Sequence, residues 1–231
     1  MVGLGVARGL VAEGRVRRSR VPVWRKWVKP ALFLACAAPL ITLLMQAFEV
    51  GNLRLGANPI EAIMDTLGQW GLRFLLLTLT VTPLAVTLRK PWILKLRRMI
   101  GLFAFTYVAL HFLTWLVLDK WFEIPAIVED IAERPFITVG FAALMMLVPL
   151  AVTSTSGWMR RLGRRWHTLH RLVYPIAILA CIHFWWQVKA DLREPILYSL
   201  ILALLLAWRY RRARMARGES ASRRAREPRA G

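Results

Sequence analysis

Long uncharged apolar runs, set apart by short clusters of arginine and lysine, constrain this chain more than any other feature of its sequence. Six such runs can be read between the charges, at 31–48, 70–88, 99–118, 136–152, 167–188 and 196–208. A helix rises about 1.5 Å per residue, so about 20 residues cross a hydrocarbon core of about 30 Å. Five runs come close to that length. The sixth has only 13 residues between Pro195 and Arg209 and needs snorkelling arginines and an interfacial start to cross. The expected fold class is therefore all-α, a polytopic membrane bundle of six transmembrane helices.

Charge sets the orientation. The 231 residues are 57% hydrophobic yet carry 33 Lys and Arg against 13 Asp and Glu, a net charge of +20. Of the basic residues, 26 fall in the N-terminal stretch, the loops at 89–98 and 153–166, and the C-terminal stretch, whereas the alternate loops hold five, together with ten of the 13 acids. The positive-inside rule then places both termini in the cytoplasm and gives an even number of crossings. Each of the 11 Trp lies near a segment end, at the inner or the outer interface. Clustering of the charge between apolar runs argues against a nucleic-acid partner and for contact with the lipid bilayer. Residues 1–23 and 213–231 read as basic mobile tails around a membrane domain at 24–212. Cys36 and Cys181 lie inside apolar runs and offer neither a disulfide framework nor a zinc motif.

Ionisable groups inside membrane helices are costly, which makes the histidines candidates for function. His111 lies in the third run, and His167, His170 and His183 in the fifth. Counting 1.5 Å per residue, His111 sits about 4 Å and His183 about 8 Å outward of the middle of its segment. Two imidazoles at similar depth on separate helices can occupy both axial positions of a haem iron. A proton relay or a satisfied polar pair are the alternatives at this point. His170 lies about 20 Å inward of His183 along the same helix and about 140° around it, so the two share a face only if the helix distorts, as Pro175 allows. His167 belongs to the interface.

The stretch GWMRRLGRRWHTLHRLVY at 157–174 resembles the signature of the haem-binding membrane subunits of bacterial protein-methionine-sulfoxide reductase systems, members of the ferric-reductase-like transmembrane family that also includes the NADPH oxidases. LRFLLLTLTVTPLAV, RRMIGLFAFTYVALHFLTWLV and RPFITVGFAALMMLVPLAVTSTSGWMRRLG support it, and the resemblance covers roughly 68–212. It implies a haem b protein that passes electrons across the inner membrane to a periplasmic, molybdenum-containing reductase repairing oxidised methionine. It also implies that the family's three characteristic histidines fall on His111, His170 and His183. His111 and His183 are then the expected axial ligands, and His170 a second-haem or alternative ligand. FMN and the quinone pool come from the resemblance alone, and no motif here assigns their contacts. The oxidase relatives carry a further histidine 13 or 14 residues before the one matching His111; this chain has Arg98 and Arg97 there.

Two constraints come from the residues themselves. The 23 residues beyond Trp208 are far short of a nucleotide-binding domain, so the expected donor is a membrane quinol or a separate soluble flavin reductase. The outer loops lack a metal-ligand or nucleophile constellation, so no catalytic residue is assigned and the substrate-reducing site is expected on the partner. Arg73, about one turn below Trp70, stands at a depth suited to a haem propionate, or else snorkels outward. Arg171 could do the same on the inner side. The competing readings are a ferric or cupric reductase, and a haem-free transporter or scaffold. No inverted repeat or broken-helix pair supports the last.

Overall fold

The computed structural model describes residues 24–188 and 191–226, with side chains at 26–188 and 191–218. The expected tail at 1–23 lies outside the described residues. Among those described there are nine α-helices and no strand, which bears out the all-α membrane class: α1 (Lys29–Ala47), α2 (Pro59–Thr87), α3 (Arg97–Thr114), α4 (Ile124–Glu133), α5 (Pro135–Val152), α6 (Ser156–Leu162), α7 (Arg164–Leu169), α8 (Val173–Gln187) and α9 (Arg193–Arg226). Five helical stretches are long and apolar enough to cross a membrane: Lys26–Ala47, Pro59–Thr87, Pro91–Asp119, Pro135–Val152 and Arg164–Gln187. The sixth expected crossing is the apolar part of α9, interrupted by charge at both ends.

The helix boundaries follow local chemistry. Asn58 caps α2, its side chain accepting from the Glu61 amide and donating to the Glu61 carboxylate at 2.8 Å, with Pro59 in the first turn. This cap starts α2 eleven residues before the apolar run at 70, because a polar first turn is no obstacle to helix. α5 likewise opens on Pro135. The expected tail at 213–231 is helical through Arg226, where alanines and arginines, both good helix formers, carry α9 on. A 3-10 turn at His170–Leu172 separates α7 from α8, so 167–188 is a broken helix rather than a straight one.

Half of α2's apolar stretch is buried in the molecule, against 11% of α1's, which makes α2 the central helix. Leu79, Ala104, Ala177, Ile176 and Tyr107 meet at the core with almost no exposure. Outward-facing Phe33, Leu34, Ile41, Leu77, Leu84 and Leu204 remain exposed. Continuous apolar surface of this kind is stable only against lipid.

Candidate cofactor site

His111 on α3 and His183 on α8 face each other in the bundle. Their ring centroids are 6.2 Å apart and their planes cross at 79°. Each ring is held by a backbone carbonyl of a neighbouring helix: His111 Nδ1 lies 2.9 Å from the Met64 oxygen on α2, and His183 Nδ1 lies 2.7 Å from the Phe136 oxygen on α5. A carbonyl only accepts, so both Nδ1 atoms carry the proton and both Nε2 atoms keep a lone pair. That tautomer is the one a histidine needs to bind a metal through Nε2.

Glycine makes these contacts possible. A methyl group on Gly68 would stand 3.1 Å from His111 Nδ1, and one on Gly140 would stand 2.9 Å from His183 Nδ1 and Cε1. Each glycine lies four residues after the carbonyl that holds the ring. The imidazole lies over a bare turn of helix and reaches one turn back to its acceptor.

The two halves are one device used twice. Met64, Gly68 and His111 are each followed 72 residues later by Phe136, Gly140 and His183. The hairpins α2–α3 and α5–α8 that carry them share a further signal, the pentapeptide PLAVT, at 83–87 and again at 149–153. Sequence reading identified the two histidines and missed the two glycines. The recurring PLAVT and the equal Gly-to-His spacing were the signals available for finding them.

The geometry sets what this pair can bind. A metal–imidazole bond of about 2.0 Å plus a ring radius of about 1.1 Å gives about 6.2 Å between the centroids of two rings on opposite sides of one ion. Among the described residues no cluster of three or more His, Cys, Asp or Glu could hold a bare metal ion. A haem, whose macrocycle would supply the remaining ligands, fits the two imidazoles present.

The other expected site residues lie elsewhere. Arg73 is tied to α9, with Nε donating to the Tyr198 hydroxyl at 2.8 Å and Nη2 to Gln69 at 3.2 Å and Glu194 at 3.5 Å. Its guanidinium also lies over Trp70, 4.9 Å from the ring centroid. His170 is apart from the pair, stacked on Trp166 at 3.8 Å with Nδ1 on the Trp166 carbonyl at 3.1 Å. Its Nε2 is buried near the Leu150 carbonyl without a well-formed hydrogen bond. His167 is exposed and meets the edge of Trp166.

Comparison with known proteins gives the family. Residues 67–181 match the family model described as ferric reductase like transmembrane component, a span that includes Gly68, His111 and Gly140 and stops two residues before His183. The chain is 48% identical over 198 residues to a protein of Xanthomonas euvesicatoria named protein-methionine-sulfoxide reductase heme-binding subunit MsrQ, covering 84% of this chain and 91% of that one. Proteins of the same name from Bordetella pertussis and Xanthomonas campestris are 49% identical (79% of this chain, 88% of that one) and 50% identical (78% and 84%). On this evidence the chain belongs to the ferric-reductase-like transmembrane family, and within it to the group of heme-binding subunits of protein-methionine-sulfoxide reductase, a multi-pass membrane protein built on paired glycine–histidine hairpins.

Proposed function

We propose that this chain is the electron-delivering membrane subunit of a methionine-sulfoxide repair system, holding a haem b between His111 and His183. The observation that carries the reading is the 6.2 Å separation of two imidazoles whose tautomers are both fixed by backbone carbonyls. A haem bound by two histidines supplies reversible one-electron transfer with no open position for dioxygen. The residues around it do the rest. Met64 and Phe136 carbonyls orient the rings and raise their basicity, and Gly68 and Gly140 leave room for them. Arg73 reaches a propionate only by exchanging one carboxylate, that of Glu194, for another. His170, whose buried Nε2 has no well-formed hydrogen bond, is the candidate for a second ligand on the inner side.

In this proposal both termini are cytoplasmic, α9 makes the sixth crossing of the inner membrane, and the histidine pair lies toward the periplasm. Electrons enter from the quinone pool, or from a soluble flavin reductase with FMN as intermediate carrier, and leave to a periplasmic molybdenum-containing reductase. The acidic outer loops, with Glu123, Glu129 and Glu133, supply the docking face. The test is electron delivery. Quinol-reduced protein in proteoliposomes should re-oxidise rapidly with the periplasmic reductase and a methionine-sulfoxide substrate, and slowly with a ferric chelate. Equal or faster oxidation by the chelate without the partner would show a metal reductase instead.

A further inference from the structure

At the inner end of the bundle two arginines, Arg209 and Arg97, stand within electrostatic range of each other, with no acid beside them among the described side chains. Arg209 on α9 lies where a short apolar helix would send its side chain out to lipid phosphate. It points into the bundle instead: Nη2 donates to the Leu79 carbonyl at 2.6 Å, Nη1 donates to the Tyr174 hydroxyl at 3.1 Å, and the guanidinium lies 5.2 Å from the Tyr174 ring centroid. Its Nε is buried and unpartnered. Arg97, at the start of α3, is within electrostatic range of Arg209, Tyr174 and His170.

Among the described side chains no carboxylate neutralises this pair. The ion pairs among the described residues involve Arg73, Lys120 and Arg134, all at the outer side. All ten acids whose side chains are described lie in the outer loops, from Glu49 to Glu194. Glu219 stands ten residues beyond Arg209, about 15 Å along the helix. Two neighbouring guanidiniums in a partly apolar setting repel one another and lose hydration, a placement that becomes favourable when an anion shares their donors. The planar fork of arginine suits an oxyanion. A propionate of a haem at the outer pair is out of range, since Arg97 is 14 residues, about 21 Å, along α3 from His111.

We infer that Arg97 and Arg209, with the Tyr174 hydroxyl, form an oxyanion site at the inner end of the bundle, taking a phosphate-bearing ligand either as an anionic lipid headgroup or as a small soluble phosphate. The inference is independent of the haem assigned to His111 and His183.

The test uses full-length protein, delipidated in neutral detergent, with thermal unfolding as the readout. Inorganic phosphate, at ionic strength matched with chloride, is expected to raise the midpoint by about 5 °C near hundredfold saturation if the soluble anion is the ligand. If the headgroup is the ligand, phosphatidylglycerol in zwitterionic nanodiscs gives the rise and free phosphate does not. Arg97→Gln should abolish either response. Because Arg97 makes no side-chain hydrogen bond among the described residues, that variant should be as stable as the parent, or more so, without anion. Should it fail to fold, the parent titrations still decide. A parent midpoint unmoved by both phosphate and phosphatidylglycerol, or an equal rise in Arg97→Gln, overturns the inference.

Discussion

At the scale of single residues, the glycines test the site more sharply than the histidines do, because they touch no cofactor and act only through ring position. A Cβ at 140 would meet His183 at 2.9 Å, and one at 68 would meet His111 at 3.1 Å. Gly140→Ala should therefore displace the His183 ring from the Phe136 carbonyl and weaken haem binding about 10- to 100-fold, in the range seen when a ligand's supporting partner is lost. Gly68→Ala should cost less. Haem-to-protein ratio in purified material checks both, and full occupancy in Gly140→Ala would show that the ring position does not matter. The histidines were legible in the sequence because helical rise alone gives depth. The glycines were not, since a 43-residue spacing acquires meaning only once two antiparallel helices are known to pack.

At the scale of elements, α1 shows how a neighbouring helix completes a broken ladder. In a regular helix the Leu40 amide would donate to the Cys36 carbonyl. Here the Tyr107 hydroxyl of α3 stands between them, accepting from Leu40 at 2.9 Å and donating to Cys36 at 2.9 Å, beside Pro39. An inserted side chain of this kind bends a helix and fixes it to its neighbour. Tyr107 is wholly buried, so Tyr107→Phe leaves two backbone groups unpaired in an apolar setting and should lower stability by about 1–3 kcal/mol. A thermal midpoint equal to that of the parent would mean that α1 closes its own ladder. The extents of α1, α3 and α5 could be read from apolarity to within a few residues. The early start of α2 and the long continuation of α9 could not, because capping by Asn58 and helix propensity act independently of burial. The inward turn of Arg209 was equally invisible, since sequence cannot say which neighbour offers a carbonyl.

At the scale of the whole molecule, charge asymmetry and helix count must agree on one topology. α9 is fastened to α2 near its start by Arg73 with Tyr198 and Glu194, and past its apolar stretch by Arg209 with Leu79. Those two attachments lie near the ends of its 13-residue apolar stretch, for which we propose a sixth crossing. Impermeant maleimide labelling separates the possibilities, because Cys36 and Cys181 are buried. In spheroplasts Glu129→Cys should label at once, while Arg161→Cys and Arg214→Cys should label only after permeabilisation. Labelling of Arg214→Cys in intact spheroplasts would leave five crossings and place α9 on the outer face.

All three scales meet in the histidine pair, whose 6.2 Å separation follows from two repeated hairpins, two bare helix turns and two carbonyls. The most direct test is the dithionite-reduced minus oxidised absorption spectrum of purified protein, taken with haem stoichiometry. A low-spin b-type signal is expected in the parent, lost in His111→Ala and in His183→Ala, and retained at least in part in His170→Ala. Colourless parent protein, or a full signal surviving in either His111→Ala or His183→Ala, would contradict the assignment.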